Sequence, residues 1–514
     1  MSGAELPSSL EKPKALSNAR GLRSDGPSHA PEPPSSNDDP PAGALERIAA
    51  RFTAWAERWI PDAFVFALVA TFLVVIAAWV SLSSKQGAAS AAAEVAAIWG
   101  GGFWELIPFT LQMSLVIITG YVVATTRPVY RLIRALAAVP RSPRVAIAWV
   151  ALFAMLSSWF NWGFSLIFSA MLAKETARRV RGVDYRAVAA SAFLGLGSIW
   201  AQGLSGSAAL QMATPSALQP ATRAIVEAGG KVPGGVIPLS DTIFLWQSLV
   251  SVGVEIVLVT VLVYLYAPSA ARARSAADLG IDLGRSPLDA DEPLRKATPG
   301  EWLEHAPILS VLFVLLAGGY LVGYFASSGQ GLNALNLNTV NLIFLTLGVL
   351  LHGTPARLMR AVKEATPGVW GVILQFPFYA GIAALIVKTH LNESIAGFFV
   401  GLSTPRTYPA VVAVYSAVLG VFVPSGGSKW VIEAPYVMQA AHDLKVHLGW
   451  MVAVYDLGEA LANLVQPFWM LPILGLFGLK ARDVMGYTFI VFLVLLPVVL
   501  LLVTVLGATL PYPL

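Results

Sequence analysis

Hydrophobic positions in this chain gather into long unbroken runs separated by short polar stretches, a spacing far longer than the period of a strand or of a surface helix. Apolar segments fall near residues 61–83, 103–125, 145–173, 187–212, 240–266, 306–326, 338–352, 366–388, 409–440, 449–478 and 486–508. Several reach the roughly 20 residues a helix needs to cross about 30 Å of hydrocarbon. No alternating strand pattern of about ten residues lies between them. The pattern predicts an all-α polytopic membrane protein, a helical bundle and not a barrel. Composition agrees, since 56% of the 514 residues are hydrophobic and only 12% are charged, so lipid is the solvent for most of the chain. The absence of cysteine removes disulfides, thiolate nucleophiles and cysteine metal sites without fixing the redox compartment. A formal charge of +4 does not point to nucleic acid, because the basic residues are needed in the loops.

Those loops set the expected topology. The loop from Arg127 to Arg144 holds Arg127, Arg131, Arg134, Arg141 and Arg144 with no acid, which places it in the cytoplasm by the positive-inside rule. The next loop, Lys174 to Arg186, is also basic, so both flanks of segment 145–173 want the same side. At its centre stands the polar run Ser157-Ser158-Trp159-Phe160-Asn161-Trp162-Gly163, and a re-entrant hairpin fits best. Segment 409–440 repeats the anomaly at Val423-Pro424-Ser425-Gly426-Gly427-Ser428-Lys429 and reads as a second hairpin. Residues 1–58, rich in Pro, Ser and mixed charge, read as a disordered cytoplasmic tail, either a regulatory arm or a dispensable extension. Residues 59–266 form a first transmembrane repeat, 267–305 a cytoplasmic linker, 306–337 a connecting helix and outer loop, and 338–510 a second repeat. The uncharged C-terminus then falls outside.

The two halves carry ordered matches: Leu111-Gln112 with Leu374-Gln375, Gly163 with Gly426, and Leu196-Gly197 followed by Ala201-Gln202 with Leu457-Gly458 followed by Ala462-Asn463. Together with the topology read from the arginines, they predict an inverted structural repeat with two re-entrant helical hairpins and two interrupted helices, as in many secondary transporters.

In such folds the substrate sits at mid-membrane, where half-helix N-termini supply positive potential to an anion. Asn161, Trp162, Gly163 and Ser165 make the first candidate tip, and Ser425, Gly426, Gly427 and Ser428 the second. The alternative for each tip is a simple turn or a packing contact. The interrupted helices add Gln202, Ser205, Gly206 and Ser207 on one side and Asp456, Glu459, Asn463 and Gln466 on the other. Intramembrane carboxylates are costly unless paired, hydrated or protonated, so Glu433, Asp456 and Glu459 are candidates for coupling to a proton or sodium ion. Lys429 and Glu433 stand four apart on one helix face and could neutralise each other; Lys429 could equally hold a substrate carboxylate. Glu255, alone in an apolar helix, is expected to face a partner inside the bundle. The six histidines form no metal pair or catalytic dyad at depth, and the phosphate-binding loop spacing is absent, so no catalytic residue, resident cofactor or metal site is expected. Trp162 and Trp430 could wall an acyl chain.

The runs Trp59-Ile60-Pro61-Asp62, Trp99-Gly100-Gly101-Gly102-Phe103-Trp104, Phe160-Asn161-Trp162-Gly163, Leu374-Gln375-Phe376-Pro377-Phe378-Tyr379-Ala380-Gly381 and Pro424-Ser425-Gly426-Gly427-Ser428-Lys429-Trp430-Val431-Ile432 closely resemble the bacterial short-chain fatty acid transporter family over about residues 46 to 510. The resemblance implies gradient-coupled uptake of acetoacetate, butyrate or similar monocarboxylates. It also implies kinship with the ion-transporter superfamily, homodimers and elevator-like alternating access. A dicarboxylate or other organic-anion transporter or exchanger is the alternative.

Overall fold

In lipid every backbone N–H and C=O must find its partner within the protein, so apolar sequence folds as helix and breaks survive only where other protein covers them. The computed structural model describes residues 58, 63–228, 232–269, 272–283, 298–329, 331–423, 425–466 and 468–514. The expected tail (Arg58 apart), the Trp59–Asp62 run, the middle of the 267–305 linker and Pro424 lie outside this set. Among the described residues the regular elements are all helical. The first half carries α1 (Ala63–Gln86), α2 (Ala88–Gly102), α3 (Ile107–Ala124), α4 (Arg127–Leu136), α5 (Pro143–Phe160), α6 (Trp162–Arg179), α7 (Tyr185–Leu194), α8 (Ser207–Ala213), α9 (Pro220–Glu227) and α10 (Trp246–Tyr266). Helices α11 (Pro299–His305) and α12 (Ile308–Ser328) join it to the second half. There follow α13 (Leu337–His352), α14 (Pro355–Ala365), α15 (Trp370–Lys388), α16 (Leu391–Leu402), α17 (Tyr408–Phe422), α18 (Gly426–Asp443), α19 (Leu448–Ala462), α20 (Leu471–Phe477) and α21 (Ala481–Gly507). Among the described residues 8 helical stretches are long and apolar enough to cross a membrane.

The halves match element for element, α1 to α8 with α13 to α20 and α10 with α21, and their packing is reciprocal. Helix α1 packs on α15 and α13 on α3; α2 packs on α15 and α14 on α3; α4 packs on α6 and α16 on α18. Likewise α5 packs on α7 and α17 on α19, while α10 and α21 pack on each other. Exchanging the halves reproduces these contacts, as a pseudo-two-fold axis requires, and the expected inverted repeat is the fold of the protein. Two groups of helices result. Helices α1 to α3 and α12 to α15 pack on one another, and α12 buries only Ser310 and Ala317 while exposing Leu315, Leu316 and Val322. The hairpins, the interrupted helices, α10 and α21 make the other group.

Each hairpin is two helices meeting at a short turn. Helices α5 and α6 have 18 residues each, about 27 Å apiece at 1.5 Å per residue. They outrun the apolar segment 145–173 because Pro143 at the first position starts α5 and Arg178 and Arg179 sit in the last turn of α6, where basic side chains complement the helix dipole. Residues 88–102, 127–136, 355–365 and 391–402, which a search for long apolar runs leaves as loops, are short helices. In α4 only Tyr130 and Ile133 are buried and the arginines point outward, so this is an amphipathic helix whose charges break up its apolar pattern.

Both predicted interruptions are present. Helix α7 ends at Leu194, continues through a π turn (Gly195–Ile199) and a 3-10 turn (Trp200–Gln202), and resumes as α8 at Ser207. Helix α19 ends at Ala462 and resumes as α20 at Leu471 after a 3-10 turn, Phe468–Met470. Glycines set the fit of each hairpin arm on its interrupted helix: a Cβ on Gly195 would lie 2.2 Å from the Ala154 carbonyl oxygen, and one on Gly458 would lie 2.4 Å from that of Ala413. Gly195→Val and Gly458→Val should each cost about 1–3 kcal/mol through overpacking and lower the thermal midpoint of detergent-solubilised protein. Gly318→Ala, where nothing lies within 4 Å, should leave it unchanged; equal midpoints for all three variants would contradict this packing.

Candidate functional site

The second tip is built around a fully buried ammonium. Helix α18 starts at Gly426 with Ser425 in extended conformation before it, and the i,i+4 spacing brings Lys429 beside Glu433. Lys429 Nζ lies 3.2 Å from Glu433 Oε1 and 2.7 Å from Glu459 Oε2. It also donates to the Ser416 carbonyl oxygen at 2.8 Å and sits 4.6 Å from the centre of the Tyr455 ring. Glu433 Oε2 accepts from Ser416 Oγ at 2.7 Å. Lys429, Glu433 and Glu459 are all completely buried. Of the two roles the sequence left open for Lys429, this geometry shows the ion pair. Glu459 lies against α17 at Gly420, where a Cβ would stand 2.7 Å from Glu459 Oε2. Asp456, one turn earlier on α19, keeps Oδ2 buried without a partner.

The first tip turns at Asn161, whose Oδ1 caps α6 by accepting from the Phe164 N–H at 2.8 Å. The tip sits on α3: a Cβ on Gly120 would meet Asn161 Oδ1 and the Phe164 nitrogen at 2.5 Å, and one on Gly163 would lie 3.2 Å from the Val116 carbonyl oxygen. It is also tied to the break in α7–α8, since the Trp162 N–H donates to Ser205 Oγ at 2.9 Å and the Leu204 N–H to the Trp159 carbonyl oxygen at 2.7 Å. Ser165 is used inside its hairpin, donating to the Ala154 carbonyl oxygen at 2.8 Å. Gln202 donates to Ser198 O and to Glu255 Oε1, so Glu255 does face a partner inside the bundle. Asn463 Nδ2 donates to the Leu196 carbonyl oxygen, and Gln466 Nε2 to Asn463 Oδ1 at 2.7 Å. The predicted residues therefore divide. Ser165, Gln202, Asn463 and Gln466 hold the breaks together. Ser207, Gly426 and Gly427 meet where the second tip touches the first break, with the Ser207 Cβ 3.1 Å from where a Gly427 Cβ would stand.

The family model described as short chain fatty acid transporter matches residues 44–506. Two relatives are named for short-chain fatty acid transport. The one from Escherichia coli (strain K12) is 36% identical over 447 residues, covering 86% of this chain and 96% of the relative. The one from Haemophilus influenzae (strain ATCC 51907 / DSM 11121 / KW20 / Rd) is 33% identical over 449 residues with the same coverage of 86% and 96%. The chain belongs to the short-chain fatty acid transporter family. It is a multi-pass membrane transporter and not an enzyme. Among solved structures, the Alcanivorax borkumensis YdaH transporter, described as having an unusual topology, is similar with a TM-score of 0.58 at 15% identity, covering 87% of this chain and 98% of its own. Neisseria gonorrhoeae MtrF is similar with a TM-score of 0.57 at 14% identity, covering 90% and 98%. At these identities the likeness is one of fold.

The transporter adds residues to the site that sequence reasoning passed over. Trp200 fills the space beside the second tip: a Cβ on Gly426 would lie 2.4 Å from its Cη2. Trp200 and Trp469 both pack edge-on against Trp162, with ring centres 6.2 and 5.5 Å away, so three indoles from the first tip and the two breaks form a partition between the tips. Tyr455 donates its hydroxyl to the Gly426 carbonyl oxygen and packs its ring 4.7 Å from Trp430. The signals were present, since Trp200 directly precedes the matched Ala201-Gln202 pair and Ser416 is the one serine in the apolar run of α17. Asn161 Nδ2 and the indole N–H groups of Trp162, Trp200 and Trp430 are buried donors without a partner, and each such group carries a desolvation cost.

Lys429→Met should destabilise the transporter by about 3–5 kcal/mol, because two carboxylates lose their buried counter-ion. Adding Glu459→Gln to it should recover part of that loss, giving a coupling energy of about 1 kcal/mol or more in a double-mutant cycle of thermal unfolding. Strictly additive losses would show that Lys429 and Glu459 do not interact.

Proposed function

We propose that the transporter is a secondary active carrier of short-chain fatty acids such as butyrate or acetoacetate, coupled to a proton or cation gradient. The observation that carries this reading is the set of unpartnered donors at the tips, Asn161 Nδ2 and the indole N–H groups of Trp162 and Trp200, whose apolar rings pack edge-on. A short carboxylate has the complementary form, an anionic head that accepts hydrogen bonds and a small apolar tail that packs on aromatic faces. Hydrogen-bond donors without formal charge suit a substrate that must be released again. The backbone at Asn161–Gly163 and Ser425–Ser428 would add dipole potential to the same head group.

Coupling follows from charge. One ammonium stands among three buried carboxylates, Glu433, Asp456 and Glu459, and a surplus of negative charge at membrane depth calls for a co-transported proton or cation. Lys429, already held by Glu433, Glu459 and Ser416, is not free to grip a second substrate carboxylate, which favours a monocarboxylate over a dicarboxylate. In this reading the hairpin group moves as a transport unit against the scaffold of α1 to α3 and α12 to α15. The arginine-rich segment 127–144 marks the cytoplasmic face.

Proteoliposomes loaded with wild-type protein should accumulate radiolabelled butyrate under an imposed proton or sodium gradient and not without one; failure under both gradients would overturn the coupled monocarboxylate reading. Trp162→Phe and Trp200→Phe keep the aromatic wall and remove one donor each. Each should raise the half-saturating butyrate concentration about 10-fold or more, as expected for a hydrogen bond to a charged group. Unchanged saturation in both would remove the indoles from the binding site.

A further inference from the structure

Glu255 is the one charged residue in helix α10, Trp246–Tyr266. Its side chain is buried, and a lone carboxylate in lipid is retained only for a purpose. Among the described residues no cation pairs with it. Of the elements packed on α10, the π turn Gly195–Ile199 has no titratable group. Helix α5 has Arg144, and α21 has Arg482, Asp483 and Tyr487. Trp159 of α5 packs against Phe244, next to the start of α10, with ring centres 6.2 Å apart, and Arg144 sits at the other end of α5 with its side chain exposed, whereas Glu255 is buried. Tyr487 contacts Tyr266 at 5.8 Å, about 16 Å along α10 from Glu255, and Arg482 and Asp483 precede it in the first turn of α21.

The group that does reach Glu255 is Gln202, whose Nε2 donates to Glu255 Oε1 at 3.0 Å and to the Ser198 carbonyl oxygen at 3.1 Å. Gln202 is the last residue of the 3-10 turn in the first break. It also lines a cavity of about 10 Å³ together with Ile243, Ser248, Ala453, Asp456 and Leu457, room for about one water-sized group. Asp456 contributes a buried Oδ2 with no partner. Glu255, Gln202, the cavity and Asp456 thus form a polar line from α10 through the first break to α19, with Glu255 at the end remote from Lys429.

We propose that Glu255 is a second proton-binding site of the transport cycle, separate from the Lys429 cluster, with Gln202 tying its occupancy to the break between α7 and α8. The proposal rests on the coupled-carrier reading above. A proton is the one cation that neutralises a carboxylate without further ligands, and a neutral Glu255 still accepts from Gln202 through its carbonyl oxygen. When the break rearranges during transport, Gln202 leaves Glu255 and the carboxyl exchanges its proton, so net movement of substrate needs this step. Exchange of substrate for substrate does not.

The test uses the full-length protein in proteoliposomes and the Glu255→Gln variant, which preserves shape and removes the titration. Wild type should accumulate butyrate under a proton gradient, and E255Q should fall to the level of protein-free vesicles while keeping wild-type rates of butyrate-for-butyrate exchange at symmetric pH. Gradient-driven accumulation by E255Q equal to wild type overturns the proposal and leaves the coupled reading standing. Absence of accumulation by wild type overturns both. Loss of sodium-driven accumulation alone in E255Q assigns the site to sodium and overturns the proton. If E255Q loses exchange as well, pH-difference infrared spectra of the purified proteins decide: a titrating carboxylic acid C=O band present in wild type and missing from E255Q supports the site, and identical spectra overturn it.

Discussion

The contact on which the rest of the site depends is that of Lys429 with Glu433 and Glu459, 3.2 and 2.7 Å away and sealed from solvent. Moving an ammonium or a carboxylate out of water costs several kcal/mol per ion, which mutual attraction offsets only when the geometry is good and the remaining hydrogen-bonding capacity is filled. The fold meets that demand from separate elements. Helix α18 supplies Lys429 and Glu433, α19 supplies Glu459 and the Tyr455 ring, and α17 supplies both the carbonyl and the hydroxyl of Ser416. Separating α17, α18 and α19 exposes unpaired charge, so the second hairpin and the second interrupted helix are bound to act as one body.

The same logic governs the backbone at the two breaks. Carbonyls and amides freed by an interrupted helix cannot be left to lipid, and here side chains within and between the halves hold them. The Leu196 carbonyl oxygen in the first break accepts from Asn463 of the second, while Ser205 accepts the N–H of Trp162 at the first hairpin tip. The Gly426 carbonyl at the second tip is held by Tyr455 of the second interrupted helix. Polar side chains at these depths thus have two tasks, closing the backbone and presenting donors. The residues with partners, Asn463, Gln466, Ser165 and Gln202, do the first. In the proposed function the unpartnered donors, Asn161, Trp162 and Trp200, serve the second.

Much of this was legible in the sequence because it follows from local composition. Long apolar runs with polar interruptions gave the helices, the hairpin turns at Asn161 and Ser425 and the two interrupted helices, and collinear matches gave the repeat. The i,i+4 spacing of Lys429 and Glu433 offered their pairing as one of two roles for the lysine, and the structure decides between them. The amphipathic helices were hidden, since their arginines and glutamates read as loop. Lys429 reaches Glu459 and Ser416 only through the packing of α17, α18 and α19, a three-body contact that no sequence spacing encodes. Trp200 was missed for a related reason: membrane tryptophans are usually interfacial anchors or packing. Its place against Gly426 becomes visible only once the first break and the second tip are brought together.

The resulting picture joins electrostatics to transport. A cluster with one ammonium and three carboxylates stands beside neutral donors suited to a small anion, and in the proposed cycle a cation enters with each substrate to balance the charge. The most direct test is calorimetric titration of butyrate into the purified protein, in buffers of different ionisation enthalpy and with or without sodium. The account predicts that butyrate binding takes up protons, seen as a buffer-dependent heat, or tightens with sodium. Binding that is indifferent to both buffer and sodium across the pH range would contradict it.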